Sequence, residues 1–228
     1  MFIRLAKIVK NIVADYIYDP EHKKQCPGPN YHRTKKGWSD RPLRSKAEKN
    51  RIMNPRFKKV DNDVFAKAIS IAKSSRPERD RWRVDAHDAN DYKDCKNFVT
   101  THGSTVSVKS DGDIISVCKT GSSKESAKSL LRKAISEGGN KLDAFGEELF
   151  NFYTSNGFRP IALTEFNTEY APDGWKKEYG KQPIIFYALE SVDKPYDGLS
   201  YKDFIKSTTP MEYDDAAKFR DEQMKKVK

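Results

Sequence analysis

No run of eighteen apolar residues occurs in this 228-residue chain, so a membrane-spanning helix is not expected. Only 36% of the residues are apolar, too few for every segment to share in a core. Long polar stretches should therefore lie outside it or dock on a partner. Cysteine is scarce and odd in number. Cys26, Cys95 and Cys118 stand far apart, which reads as free thiols in a reducing, cytoplasmic compartment. His22, Cys26 and His32 have no Cys-x-x-Cys pair beside them and no fourth ligand, so no metal is expected. The opening Met-Phe-Ile is soon interrupted by Arg4, Lys7 and Lys10, which argues against a signal peptide.

What the chain has in abundance is positive charge, and it is concentrated. Arg33, Lys35, Lys36, Arg41, Arg44, Lys46, Lys49, Arg51, Arg56, Lys58 and Lys59 are opposed only by Asp40 and Glu48. That local surplus of nine nearly accounts for the net charge of +10, so the rest of the chain is close to neutral. A solubilising surface would spread its charge. A concentrated stretch suits a polyanion: nucleic acid, an acidic protein face or anionic lipid. Tyr31, Trp38 and Phe57 lie among these cations and suit stacking on bases. The plainer reading is a solvated arm. Either way, phosphate contacts alone would be weakened by salt and would read no sequence.

Residues 2–18 carry Phe2, Leu5, Val9, Ile12, Val13 and Tyr16 at helical spacing, and Asp19-Pro20 closes that helix. Such a helix would pack on its own domain, a partner or a membrane surface. Five prolines from Pro20 to Pro55 make residues 20–60 an irregular basic arm, with a short helix over Ser45–Met53. Val64–Ser74 reads as a helix turning Val64, Ala68, Ile71 and Ala72 inward. Trp82–Asp85 reads as a strand and Ala89–Phe98 as a short helix capped by Asp88. Ser104–Val108 and Ile114–Lys119 flank an Asp-Gly turn and form an antiparallel hairpin. Asp111 and Asp113 then need no role beyond that turn. A helix follows over Glu125–Glu137, with Leu130, Leu131, Ala134 and Ile135 inward, stopped by Gly138-Gly139. Lys141–Phe145 is a strand and Glu147–Ser155 a helix packing Leu149, Phe150 and Phe152. Ile161–Asn167 and Ile184–Glu190 are the last strands. The organisation is thus an amphipathic helix (1–19), an arm (20–60), an α/β domain (61–190) and a tail (191–228). Helical patches in the tail cover Tyr201–Lys206 and Tyr213–Val227, the second with few apolar residues and the look of a surface or partly disordered helix.

The order hairpin, loop, helix, strand, helix, strand, strand over Ser104–Glu190 resembles the core of the GNAT acyltransferase superfamily. So does the stretch Leu149–Phe158, in which Tyr153 precedes the pair Gly157-Phe158 by four residues at a helix end. Gly138–Trp175 also looks like the GNAT-like domains of phage polyproteins. The resemblance implies a mixed central sheet flanked by helices. Two parallel strands, here Ile114–Lys119 and Lys141–Phe145, would splay apart and admit acetyl-CoA. The backbone around Val117, Cys118 and Lys119 would pair with the pantetheine amides. Ser122, Ser123, Lys124, Ser126 and Ala127, ahead of the next helix, would hold the pyrophosphate. Tyr153 would protonate the departing thiolate, with Asp143 or Glu165 as base. Cys118 reads as a small buried side chain.

The phosphate loop departs from the family. Ser122 replaces a basic or amide residue. Glu125 replaces a glycine, adding a carboxylate where backbone should approach phosphate, with Lys119, Lys124 and Lys128 to offset it. Either the loop binds CoA in an altered way or the site has lost it. Two functions follow. One is an N-acyltransferase brought to its target by the arm. The other is a non-catalytic phage structural or nucleic-acid-associated protein that keeps the scaffold and assembles through residues 1–60 and 191–228. An interfacial membrane protein using the first helix is a third.

Overall fold

A computed structural model describes residues 55–121, 123, 125–192 and 194–226, together with the strands His32–Thr34 and Gly37–Ser39. The chain divides into two units, Met1–Glu48 and Lys49–Lys228. In the first, β1 (His32–Thr34) and β2 (Gly37–Ser39) pair antiparallel, with Arg33 opposite Trp38. This pair of three-residue strands lies within the stretch expected to be an irregular arm. The helix over residues 2–18, the helix over Ser45–Met53, and Lys35, Lys36, Arg41, Arg44, Lys46, Lys49 and Arg51 lie outside the described residues.

The second unit is a mixed α/β structure with two sheets. β3 (Phe57–Lys59), β4 (Lys96–Thr100), β5 (Thr105–Val108) and β6 (Ile114–Cys118) form one antiparallel sheet in that order. β7 (Lys141–Phe145), β8 (Phe158–Thr164) and β9 (Ile184–Leu189) form the other, in the order β7-β9-β8. The helices are α1 (Asn62–Ser74), α2 (Glu78–Arg81), α3 (Ala127–Ser136), α4 (Gly146–Thr154), α5 (Tyr201–Ser207) and α6 (Tyr213–Lys226).

Local chemistry accounts for most of these boundaries. The β5–β6 turn holds Gly112 at φ +89, while the Asp113 N–H donates to Asp111 Oδ1 at 3.1 Å, an Asx turn. Ser126 caps α3 by accepting from the Lys128 N–H. Gly157 follows α4 at φ +87. A Cβ there would meet the Ser191 carbonyl oxygen at 1.5 Å, so only glycine lets the chain past.

Residues alternate across the strands, and each face is covered by different helices. On one face Val106, Val108, Ile114, Leu142, Ile185 and Tyr187 pack with Leu130, Leu131, Ala134, Phe150, Tyr153 and Phe204 of α3, α4 and α5. On the other, α1 sets Phe65, Ile69 and Ala72 against Tyr92 and Cys118, and α6 sets Ala216 against Ala162 and Phe186. Each large side chain buried this way contributes roughly 1.5–3 kcal/mol.

Several sequence expectations are corrected. The buried stripe of α1 is Phe65, Ile69 and Ala72, whereas Val64 and Ile71 are exposed. The aromatic ring wins the inward position because it removes more apolar area from water. Trp82 follows helix α2 and is no strand. Its ring is buried edge-on against Phe145 at 5.1 Å. Ala89–Phe98 is helical only as a 3-10 turn over Ala89–Tyr92, and Phe98 belongs to β4. There the buried Asn97 is satisfied by Ser107 Oγ, which donates to it at 2.6 Å, and by donating to the Tyr92 carbonyl at 2.9 Å. The tail is no loose appendage. Phe204 and Ala216 are 5% and 0% exposed, so both tail helices share in the core.

Candidate active site

β6 and β7 run parallel and meet through an isolated bridge between Asp113 and Lys141. Beyond it they part, and a cavity of about 420 Å³ opens between them. Strand edges in such a gap present backbone N–H and C=O groups without a ladder partner on that side. β6 is further distorted here. Its pairing with β5 shifts register between Thr105 and Ser107, and Ser116 takes φ 52, a left-handed conformation unusual for a non-glycine residue. Hydrogen bonds hold the bulge: Ser116 Oγ meets the Tyr92 hydroxyl at 2.7 Å and donates to the Asp85 carbonyl at 3.2 Å.

The closed end of the gap is tied by charges. Lys141 Nζ lies 2.9 Å from Asp111 Oδ2 and 2.8 Å from Asp221 Oδ2. Buried Arg220 pairs with its α6 neighbour Asp221 at 2.9 Å, reaches Asp113 at 3.8 Å and donates to the Leu142 carbonyl at 3.4 Å. Asp111 and Asp113 therefore do more than make a turn. One pairs with Lys141, and the other lines the cavity, its Oδ1 buried without a hydrogen-bond partner. Burial raises the Asp113 carboxyl, and Arg220 and Lys109 oppose that rise.

Asp143 and Tyr153 both line the cavity. Asp143 stands directly across the ladder from Phe186, so its side chain shares the face covered by α6. Tyr153 comes from α4 on the opposite face, where it packs with Leu142 and Tyr187. The gap thus passes through the sheet. Asp143 keeps part of its surface open to the cavity, yet protein surrounds it. Desolvation, then the charges of Asp113 and Asp85, push its carboxyl up to about 6, against the opposing effects of Arg220 and the Tyr213 hydroxyl. Burial, then the charge of Asp143, raise the Tyr153 phenol, so it stays protonated. Tyr153 is 6% exposed, and its hydroxyl has no hydrogen-bond partner among the described residues.

The other expected site residues divide. Val117, Cys118, Lys119 and Ala127 line the gap. Cys118 is buried, and its thiol is pushed up to about 11 by desolvation, which makes it a poor nucleophile. Ser123 and Ser126 do not line it. Ser123 Oγ accepts from the Glu125 N–H at 3.0 Å, Ser126 Oγ accepts from the Lys128 N–H at 3.2 Å, and the Ser123 N–H donates to the Thr120 carbonyl at 3.1 Å. Of the residues expected to hold phosphate, Ser123 thus has both its N–H and its hydroxyl engaged by the chain itself, and Ser126 its hydroxyl. Ser122 and Lys124 lie outside the described residues. The Glu125 carboxylate turns inward, 2% exposed, with Thr100 Oγ1 and His102 Nδ1 each at 2.8 Å. It does not line the cavity. Glu165 is exposed just past β8 and does not line the cavity, whereas Asp143 does.

Sequence reasoning missed Tyr213, Arg220 and Asp85. Tyr213 and Arg220 belong to a helix whose low apolar content suggested a surface role, and no spacing pattern links them to a strand seventy residues earlier. Of the basic residues, Arg56, Lys58 and Lys59 are exposed on or beside the edge strand β3. Among the described residues no three His, Cys, Asp or Glu side chains group to hold a metal, and no helix is long and apolar enough to cross a membrane. Comparison with family models, curated proteins and solved structures found no match.

Proposed function

We propose that the unit Lys49–Lys228 is a GNAT-like N-acyltransferase that takes the acyl end of acetyl-CoA between β6 and β7 and an amine on the Asp143 side. The observation that carries this reading is the entry of a base and a hydrogen-bond donor into one gap from opposite faces of a sheet. That arrangement suits transfer between two substrates arriving from opposite sides. A thioester supplies an activated acyl carbon and a sulfur leaving group. Asp143, ionised above about pH 6, accepts the proton released as the amine nitrogen bonds to the acyl carbon. Tyr153 offers its O–H to the sulfur as the carbon–sulfur bond breaks. Because its phenol is raised, it acts as a hydrogen-bond donor more readily than as a full proton donor.

The acyl end and the phosphate end differ in fit. Val117, Cys118, Lys119 and Ala127 suit the pantetheine arm, whereas the self-bonded loop at Ser123–Ser126 offers phosphate little beyond nearby cations. That second fact favours an alternative, a GNAT-like scaffold that no longer transfers acyl groups and binds polyanions through the basic arm, continued by Arg56, Lys58 and Lys59. Thiol release from acetyl-CoA, measured with a panel of small amines, separates the two. Turnover lost in both Asp143→Asn and Tyr153→Phe supports the enzyme. Absence of thiol release with every amine, alongside salt-sensitive DNA or RNA binding, supports the scaffold.

A further inference from the structure

We propose that the C-terminal helix α6 is part of the candidate site, with Tyr213 as a positioning residue that holds the Asp143 carboxylate in the gap. The proposal deepens the acyl-transfer reading, and its functional meaning rests on that reading. It starts from register. Asp143 is paired with Phe186 across β7 and β9, so the two side chains stand side by side on one face. The Tyr213 ring meets Phe186 edge-on at 5.0 Å, which sets it beside Asp143, and both residues line the cavity.

The helix is anchored where it must be for this contact to persist. Ala216 is fully buried against Ala162 and Phe186. Arg220 lies over the Phe186 ring at 5.7 Å and reaches Asp113 and the Leu142 carbonyl beside Asp143. Asp221 holds Lys141, the residue that opens β7. One turn of helix thus grips the strand two residues before Asp143, and the start of the helix sets the Tyr213 ring on Phe186, the cross-strand neighbour of Asp143. Tyr153, 6% exposed, lines the same cavity, and its hydroxyl has no hydrogen-bond partner among the described residues.

The titratable and charged groups that act electrostatically with Asp143 are Asp113 beside the start of β6, Asp85 before the 3-10 turn, Tyr213 and Arg220 on α6, and, from the opposite face, Tyr153 on α4 and Tyr187 on β9. Of these, Tyr213 and Arg220 favour the ionised carboxylate. Replacing Tyr213 by Phe keeps the ring on Phe186 and removes only the hydroxyl, so the fold should persist.

The test is a carbon-detected NMR titration of the Asp143 carboxyl, assigned with Asp143→Asn, in the full chain. Wild type should titrate near 6. Tyr213→Phe should titrate higher by roughly half a pH unit, the amount a lost hydrogen bond to the charged form gives. Tyr170→Phe, at a side chain 82% exposed, is the control and should leave the midpoint unchanged. An unmoved midpoint in Tyr213→Phe overturns the proposal. The titration needs no substrate, so a wild-type protein that releases no thiol counts against the acyl-transfer reading alone.

Discussion

Asp143 and Tyr153 enter the same gap from opposite faces of the sheet, one on the side covered by α6 and the other on the side of α4. They are close enough for the charge of one to raise the phenol of the other. This pairing organises most of what the site is expected to do.

Tyr153→Phe should separate catalysis from stability. Among the described residues the hydroxyl has no hydrogen-bond partner to lose, so unfolding free energy should change by less than about 0.5 kcal/mol. Turnover should fall by about tenfold to a hundredfold, the loss of one hydrogen bond made to a developing charge. Denaturant unfolding and a thiol-release assay check both halves. A large loss of stability would mean that the hydroxyl is a structural group.

Asp143 gives a pH dependence with a definite sign. The folded protein keeps this proton up to about pH 6, whereas an unfolded aspartate releases it near 3.8. Between those values the folded state binds more protons, so this group's contribution to stability falls as pH rises through the window. Asp143→Asn removes that cost. Relative to wild type it should gain on the order of 2 kcal/mol between about pH 4 and pH 7.5, read from urea unfolding at the two pH values. Any turnover in wild type should rise with pH up to about 6 and then level.

Glu125 is expected to be a structural residue. Glu125→Ala removes the acceptor of Thr100 and the partner of His102, and it opens a small void. A loss of roughly 1–3 kcal/mol is expected, measured by denaturant unfolding. The His102 side of the pair is largely exposed, 61% for its side chain, so solvent screening makes the Thr100 bond the larger part. A neutral effect would mean that the carboxylate is not held as described.

Cys118 should be unreactive in the folded protein. With its thiol pushed up to about 11, only about one molecule in a thousand carries the thiolate at pH 8. Iodoacetamide labelling followed by peptide mass spectrometry should leave Cys118 unmodified in buffer and modify it in denaturant. Rapid labelling of the folded chain would contradict its burial.

The sequence made the later half of the domain legible. The β5–β6 hairpin, α3, β7, α4 and β9 lie within two residues of their expected bounds, because alternating or helical apolar spacing and glycine stops coincide there. The early half was harder. β4 reads Lys-Asn-Phe-Val-Thr, which carries a buried amide that only the fold can satisfy. β3 is a three-residue edge strand inside a basic run. The α6 contribution was invisible for a related reason. Arg220 is buried by an ion-pair network with Asp113 and Asp221, and no apolar period announces that. Of the expected site, Asp143 and Tyr153 come together with Val117, Cys118, Lys119 and Ala127, while Ser123, Ser126 and Glu165 do not line the gap. The direction of the Glu125 carboxylate depended on His102 and Thr100, two loop-and-strand neighbours that spacing does not reveal.

The central claim is that the opening between β6 and β7 receives an acyl thioester. An amide-detected NMR titration of the full chain with acetyl-CoA tests it directly. Saturable shifts concentrated over Ile114–Cys118, Lys141–Phe145 and Tyr153 are expected. No shifts at millimolar acetyl-CoA, or shifts confined to the outer surface of α6, would contradict it.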